Sequence, residues 1–108
     1  MAELMKTRDV EILGRKFNMR WTWAEQRLVE KQIPEFNTLD PENWKVLNAT
    51  KSLVCIWASL VKSEPSLTID ALAEMLTPAD GSRLLGELNA LIADNSRIEN
   101  PPTPATTQ

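Results

Sequence analysis

Residues 10–21, VEILGRKFNMRW, alternate apolar and polar side chains around a single glycine and run directly into a helical pattern. Alternation with a period of two around a glycine is typical of a β-hairpin. We place a type II′ turn at Gly14–Arg15, with glycine first, so that Ile12 faces Phe17. A lone hairpin is marginal in water, so its apolar face must pack on the helices that follow. That face is predicted to carry Val10, Ile12, Phe17, Met19 and Trp21.

Two helices are predicted next, each from a capping signal. Thr22 and Glu25 have the spacing of a capping box, which predicts a helix from Thr22 to about Ile33, before a proline. Asp40, followed by proline at the first helical position, predicts a second start. We expect this second helix to reach about Lys62. Its apolar residues cover a wide arc, which predicts the central helix of the domain.

Two further helices and a tail complete the predicted architecture. Thr68 caps a short helix ending near Leu76, and Thr77 opens a last helix that ends near Asp94. The apolar pattern stops at Asn95, and NPPTPATTQ at the end has three prolines among small polar residues, so we predict a flexible, disordered tail or linker over residues 95–108. The expected fold is therefore mainly α within the α+β class. An N-terminal β-hairpin packs on about four helices in one domain of residues 1–94.

Composition excludes several kinds of chemistry. The 108 residues include no histidine, one cysteine and three glycines. Histidine is the commonest general base and metal ligand, so zinc sites and histidine-dependent nucleophilic catalysis are excluded. Three glycines leave no glycine-rich phosphate loop. We therefore expect a binding module rather than an enzyme, with no cofactor, no metal and no catalytic residue.

The single cysteine and the termini indicate a cellular setting. Cys55 lies among apolar neighbours, which predicts a buried, inert thiol in a reducing cytosol. No apolar run reaches the roughly 18 residues of a membrane span. The first residues mix acids with bases, so we expect no secretory signal.

Charge is unevenly distributed along the chain. Residues 1–31 hold seven Lys/Arg against five Asp/Glu, and residues 32–108 hold five against ten. The two predicted helices of residues 68–94, joined by a short turn, resemble the helix–turn–helix of DNA-binding domains. A DNA-binding transcription regulator is therefore the alternative function. That segment has one base against five acids, however, and phosphate would repel it. We therefore expect a packed helical hairpin there, and no nucleic acid as partner.

Four tryptophans are the candidate anchors for a partner. Trp57 lies amid apolar neighbours and is expected in the core, while Trp44 can be core or interface. Trp21 and Trp23 flank the junction of strand and helix, where one of them is a candidate for exposure. An exposed tryptophan there would anchor a partner. The candidate partner-binding residues are Trp21, Trp23 and Trp44, with Arg20 and Arg27 as a charged rim.

The order of these segments resembles a known family, the tail assembly chaperones of long-tailed bacteriophages and gene transfer agents. Residues 10–32, VEILGRKFNMRWTWAEQRLVEKQ, are similar to the family's hairpin, strand and first helix. Residues 53–76, LVCIWASLVKSEPSLTIDALAEML, resemble its central helix, acidic-proline link and following helix. Residues 79–92, ADGSRLLGELNALI, resemble the terminal helix. The resemblance covers about residues 9–94.

This resemblance implies a non-catalytic assembly factor in the cytoplasm of an infected host, absent from the mature virion. Such chaperones bind the tape measure protein and keep it soluble while the tail tube assembles. In many phages a ribosomal frameshift appends a second domain that recruits tail tube protein. Residues 95–108 lie where that linker would be, although a plain disordered end remains open. The oligomeric state, including a homo-oligomer, also remains open.

Overall fold

The computed structural model describes the backbone of residues 6–99 and the side chains of residues 6–95. Within this range a two-stranded antiparallel hairpin precedes five helices. This confirms the predicted mainly helical α+β fold, with one helix more than expected. No helix among these residues is long and apolar enough to cross a membrane. The elements are β1 (Arg8–Ile12), β2 (Arg15–Met19), α1 (Trp23–Gln32), α2 (Pro41–Lys45), α3 (Ala49–Leu60), α4 (Ile69–Met75) and α5 (Pro78–Glu99).

The hairpin turn lies one residue earlier than predicted. Leu13 and Gly14 form it, with φ values of 52° and 78°, and Ile12 pairs with Arg15 instead of Phe17. Two positive φ values are the requirement of a type I′ turn rather than type II′. In this register Arg15 lies 5.0 Å from the Phe17 ring centroid and 3.3 Å from a carboxylate oxygen of Glu64. The contact with Glu64 is one that the hairpin sequence cannot predict.

The apolar face of the hairpin is nevertheless as predicted. The register error moves each partner by two residues, and side chains in a strand repeat with a period of two, so no residue changes face. The face packs against α3 and α5. All five residues assigned to it are buried, namely Val10, Ile12, Phe17, Met19 and Trp21.

The start of α1 confirms the predicted capping box. The Thr22 hydroxyl accepts from the Ala24 N–H, and a Glu25 carboxylate oxygen accepts from the Thr22 N–H at 2.6 Å. Just before it, the Arg20 N–H donates to the Ser59 carbonyl at 2.8 Å. This bond ties the end of β2 to α3, so the hairpin and α1 are fixed on the same central helix.

The predicted central helix is broken in two, which corrects the expectation of one helix from Asp40 to Lys62. Asp40 caps α2, but α2 ends at Lys45, and the Asn48 side chain accepts from Lys51 N–H at 2.8 Å to start α3. Asparagine is a strong N-cap residue, so the break has its own capping signal. The break lets Trp44 pack on aromatic rings outside α3.

Helix α3 is the centre of the core. It contacts α1, α4, α5 and β2, and most side chains along its second half are fully buried. Cys55 is buried as predicted, and burial raises the pKa of its thiol to about 12, which favours the protonated form. The buried residues of α3 are Val54, Cys55, Ile56, Ala58, Ser59 and Leu60.

The last two helices start where predicted, and α5 ends later. Thr68 caps α4, and the Thr77 hydroxyl accepts from the Asp80 N–H at 3.1 Å at the start of α5. Helix α5 then continues to Glu99, past the predicted end near Asp94. Asn95 is buried and makes two hydrogen bonds to the backbone of Lys6. Its Oδ1 accepts from the Lys6 N–H at 2.8 Å, and its Nδ2 donates to the Lys6 carbonyl at 3.2 Å. Helix α5 thus extends past the predicted boundary at residue 94. The predicted flexible tail otherwise falls on residues 100–108, which lie outside the described residues.

Candidate partner-binding groove

Three tryptophans meet in a groove where β2 passes into α1. The loop between α1 and α2 forms one wall of the groove, and the second half of α5 forms another. Its volume is about 350 Å³. We call it the tryptophan groove, and its principal lining residues are Trp21, Trp23, Leu39, Trp44, Asn89 and Ile92.

Aromatic rings in edge-to-face contact support one side of the groove. The ring of Trp44 lies edge-on to Trp21 with a centroid distance of 5.8 Å, and edge-on to Phe36 at 5.1 Å. The Trp44 indole N–H donates to the Thr38 carbonyl at 3.0 Å. Edge-to-face aromatic pairs contribute about 0.5–1.5 kcal/mol beyond the area that they bury. This side of the groove is therefore pre-formed.

The open edge of the groove is apolar and exposed. Trp23, the first residue of α1, is 65% exposed, and Leu39 in the opposite loop is 63% exposed. Exposed apolar side chains of this size that line one groove are typical of interaction sites on soluble proteins. Of the two tryptophans at the junction, Trp23 is thus exposed, whereas Trp21 is buried.

The loop that carries Leu39 is held by polar contacts to α1. The Thr38 N–H and hydroxyl donate to Glu30 Oε2 at 3.0 and 2.8 Å, and the hydroxyl lies 3.1 Å from Gln26 Oε1. The backbone N–H and then the hydroxyl of Thr38 lower the pKa of Glu30. The loop is therefore positioned by hydrogen bonds to a carboxylate rather than by burying Leu39.

The groove offers shape and apolar area but no titratable side chain. Its lining contains tryptophan, aliphatic, amide and hydroxyl groups and no charged residue. In the part of the chain that the structure describes, no cluster of histidine, cysteine and carboxylates could hold a metal ion. The arrangement suits binding of an uncharged or apolar segment of a partner.

The structure brings together part of the predicted site. Trp21, Trp23 and Trp44 all line the groove. Arg20 and Arg27 are exposed but do not line it, and Arg27 borders a separate shallow depression beside α1. The predicted charged rim therefore does not surround the groove.

The walls of the groove formed by Leu39, Asn89 and Ile92 were not predicted from the sequence. Leu39 lies in a loop and Asn89 and Ile92 lie far along α5, so no local pattern connects them with the tryptophans. The one available signal was Leu39 itself, an apolar residue between two turn-forming segments.

The alternative function, DNA binding through a helix–turn–helix, would need Arg83 to contact phosphate. Arg83 is the only basic residue of α5 among residues 78–95. Its guanidinium donates to the Glu11 carbonyl at 2.9 Å and to Asp80 Oδ1 at 3.1 Å. The Thr77 N–H first, and Arg83 second, lower the pKa of Asp80. The side chain that would meet a phosphate is therefore already occupied by acceptors of its own chain.

Comparison of this protein with protein-family models, with curated proteins and with solved structures found no match.

Proposed function

We propose that this protein is a tail assembly chaperone of a long-tailed bacteriophage, which binds the tape measure protein and keeps it soluble during assembly of the tail tube. The resemblance of residues 9–94 to that family motivates the proposal. The observation that carries it is the exposed edge of the tryptophan groove, formed by Trp23 and Leu39. In this proposal the protein acts in the host cytoplasm, without catalysis, and is absent from the mature virion.

The chemistry of the groove fits such a client. A long helical protein that has not yet been enclosed by its tube exposes an apolar stripe that tends to aggregate. Grooves bind helices of this kind through a few apolar anchors at positions i, i+3 or i+4, and i+7. A groove of about 350 Å³ receives a small number of anchor side chains. A contact made by only a few anchor side chains gives moderate affinity. Moderate affinity suits a chaperone that must release its client.

The test is co-expression with the tape measure protein encoded in the same genome, followed by pull-down from the soluble fraction. The wild-type protein should move the client from the pellet to the supernatant and co-purify with it. Trp23→Ala should reduce the recovered client at least about tenfold, because central tryptophans contribute about 2 kcal/mol or more to interfaces. Trp23 is exposed, so this variant should still fold.

Val46→Ala is the matched control. Val46 is 76% exposed and apolar, but it does not line the groove. Client recovery should therefore equal that of the wild type. A client that stays insoluble with this protein, and with a frameshift-extended form where the gene encodes one, would refute the proposed function. A client that is recovered equally well with Trp23→Ala would place the binding surface elsewhere.

A further inference from the structure

A second concave surface, beside α1 and the end of α3, is basic. Its volume is about 210 Å³, and it shares no lining residue with the tryptophan groove. Arg27 and Lys31 lie one turn apart on α1, and Lys62 follows the last residue of α3. No acidic residue of the described chain lines it. We call it the basic depression, and its lining residues are Ala24, Arg27, Leu28, Lys31 and Lys62.

The three cations of the basic depression have no acidic partner in the part of the chain that the structure describes. The ion pairs found there involve other lysine and arginine side chains. Two acids beside them in the sequence are bound elsewhere, because Glu30 accepts from Thr38 and Glu64 pairs with Arg15. Like charges therefore meet at one place without a counter-charge, and an acidic partner would relieve their repulsion.

The remaining lining of the basic depression is apolar. Leu28 and Ala24 are half-buried, whereas the three cations are exposed. Leu28 offers contact to an apolar side chain beside a carboxylate, which an inorganic anion does not have. Nucleic acid would require a longer track of cations, and the whole chain has a formal net charge of −3. The lining therefore favours an acidic peptide segment that also carries apolar side chains.

We propose that the basic depression docks an acidic, amphipathic helical segment of a partner protein. Two carboxylates four residues apart on that segment pair with Arg27 and Lys31, which have the same spacing on α1. An apolar side chain between the two carboxylates contacts Leu28. Lys62 adds a third positive charge from the end of α3.

The position of the basic depression links it to the tryptophan groove. Trp23 lies one turn before Arg27 on α1, and both side chains are exposed, so the two surfaces adjoin along this helix. The identification of the docked segment with part of the tape measure protein rests on the proposed function. Docking of an acidic helix does not, and it is tested without that client. A failed docking test therefore leaves the co-expression test of the proposed function unaffected, and the reverse also holds.

The test is an NMR titration of the full chain with a defined probe peptide. The probe is an acetylated and amidated alanine-rich helix of about 15 residues, with two glutamates four residues apart and a leucine between them. The matched peptide has glutamine in place of both glutamates. The glutamate peptide should shift the backbone amide resonances of the basic depression, and its affinity should fall several-fold when salt is raised from about 20 to 200 mM. The glutamine peptide should bind about fivefold more weakly, because exposed ion pairs contribute modestly.

Two protein variants with the same net charge locate the binding surface. The depression variant carries Arg27→Gln, Lys31→Gln and Lys62→Gln. The control variant carries Lys6→Gln, Lys16→Gln and Lys45→Gln. All six positions are exposed, so both variants should fold. The depression variant should bind the glutamate peptide about five- to tenfold more weakly than the wild type, and the control variant should lose less than about twofold.

Equal affinity of the glutamate peptide for the depression variant and the control variant would overturn the proposal. Resonance shifts confined to the tryptophan groove would overturn it as well, because the peptide would then bind through its leucine alone. Inorganic phosphate is the competitor. Displacement of the peptide by phosphate at equal concentration would show a general anion site, which also contradicts docking of a peptide.

Discussion

Helix α3 and the groove segment, which we define as residues 36–47, lie side by side in the chain but are held in place differently. The second half of α3 is fixed by apolar burial on several sides. The groove segment buries fewer apolar side chains, chiefly Phe36, and hydrogen bonds from Thr38 to Glu30 and from Trp44 to the Thr38 carbonyl also hold its backbone. Because polar contacts position its backbone, apolar side chains such as Leu39 remain available at the surface. The difference separates a region that stabilises the fold from one suited to a partner.

The largest predicted contrast is between one leucine from each region. Leu60 is fully buried at the end of α3, so Leu60→Ala should lower the free energy of unfolding by about 2–5 kcal/mol. Leu39→Ala should change it by no more than about 0.5 kcal/mol, because Leu39 is exposed. Urea denaturation followed by circular dichroism measures both. Equal losses in the two variants would show that the groove segment contributes to the core.

A smaller contrast compares two tryptophans with similar hydrogen bonds. Trp44 and Trp57 each donate an indole N–H to a carbonyl at 3.0 Å. Trp44→Phe and Trp57→Phe should each remove one such bond, worth about 1 kcal/mol. We expect Trp44→Phe to accelerate hydrogen exchange mainly at the Thr38 and Leu39 amides. Trp57→Phe should instead accelerate exchange of the buried amides of α3.

Both variants retain a large aromatic ring, so each is the control for the other. Exchange that increases by the same factor throughout the protein in both variants would mean that the groove segment opens only with the whole domain. That result would remove the distinction between the two regions.

The smallest predicted effect is a dependence on acid. The pKa of Glu30 is lowered from 4.5 by the Thr38 N–H and hydroxyl, so the folded state favours the charged carboxylate. This contribution to stability is present above pH 4.5 and is lost as the pH falls through the lowered value. The Thr38 amide resonance should titrate over that range, and Glu30→Gln should abolish the titration. A titration that persists in Glu30→Gln would assign the acid response to another carboxyl group.

Local signals allowed much of the fold to be predicted. The caps at Thr22, Asp40 and Thr68 each act over two or three residues, and the structure has a helix starting after every one of them. The apolar face of the hairpin was also predictable, because it depends only on alternation along the strand. Trp21 and Trp23 could be chosen from their residue type and their position beside the junction, and Trp44 from its residue type.

The break between α2 and α3 could not be predicted in the same way. The apolar pattern continues through Val46 and Leu47, and Asn48 alone does not decide between a helix interior and a cap. In the structure Trp44 packs edge-on against Phe36 and Trp21, which lie outside the helix that was predicted to contain it. Val46 is 76% exposed in this arrangement. These contacts join segments distant in the chain, so the local pattern could not indicate them.

The sequence by itself determined where most helices begin and which face of the hairpin is buried. It also determined which side-chain types the chain lacks, histidine above all. Only the tertiary structure decided the hairpin register, the interruption at residues 46–48 and the second wall of the groove. The physical reason is the range of the interactions. Capping and alternation act between residues a few positions apart, whereas Leu39 and Ile92 share a groove with Trp21 only after the whole chain has folded around α3.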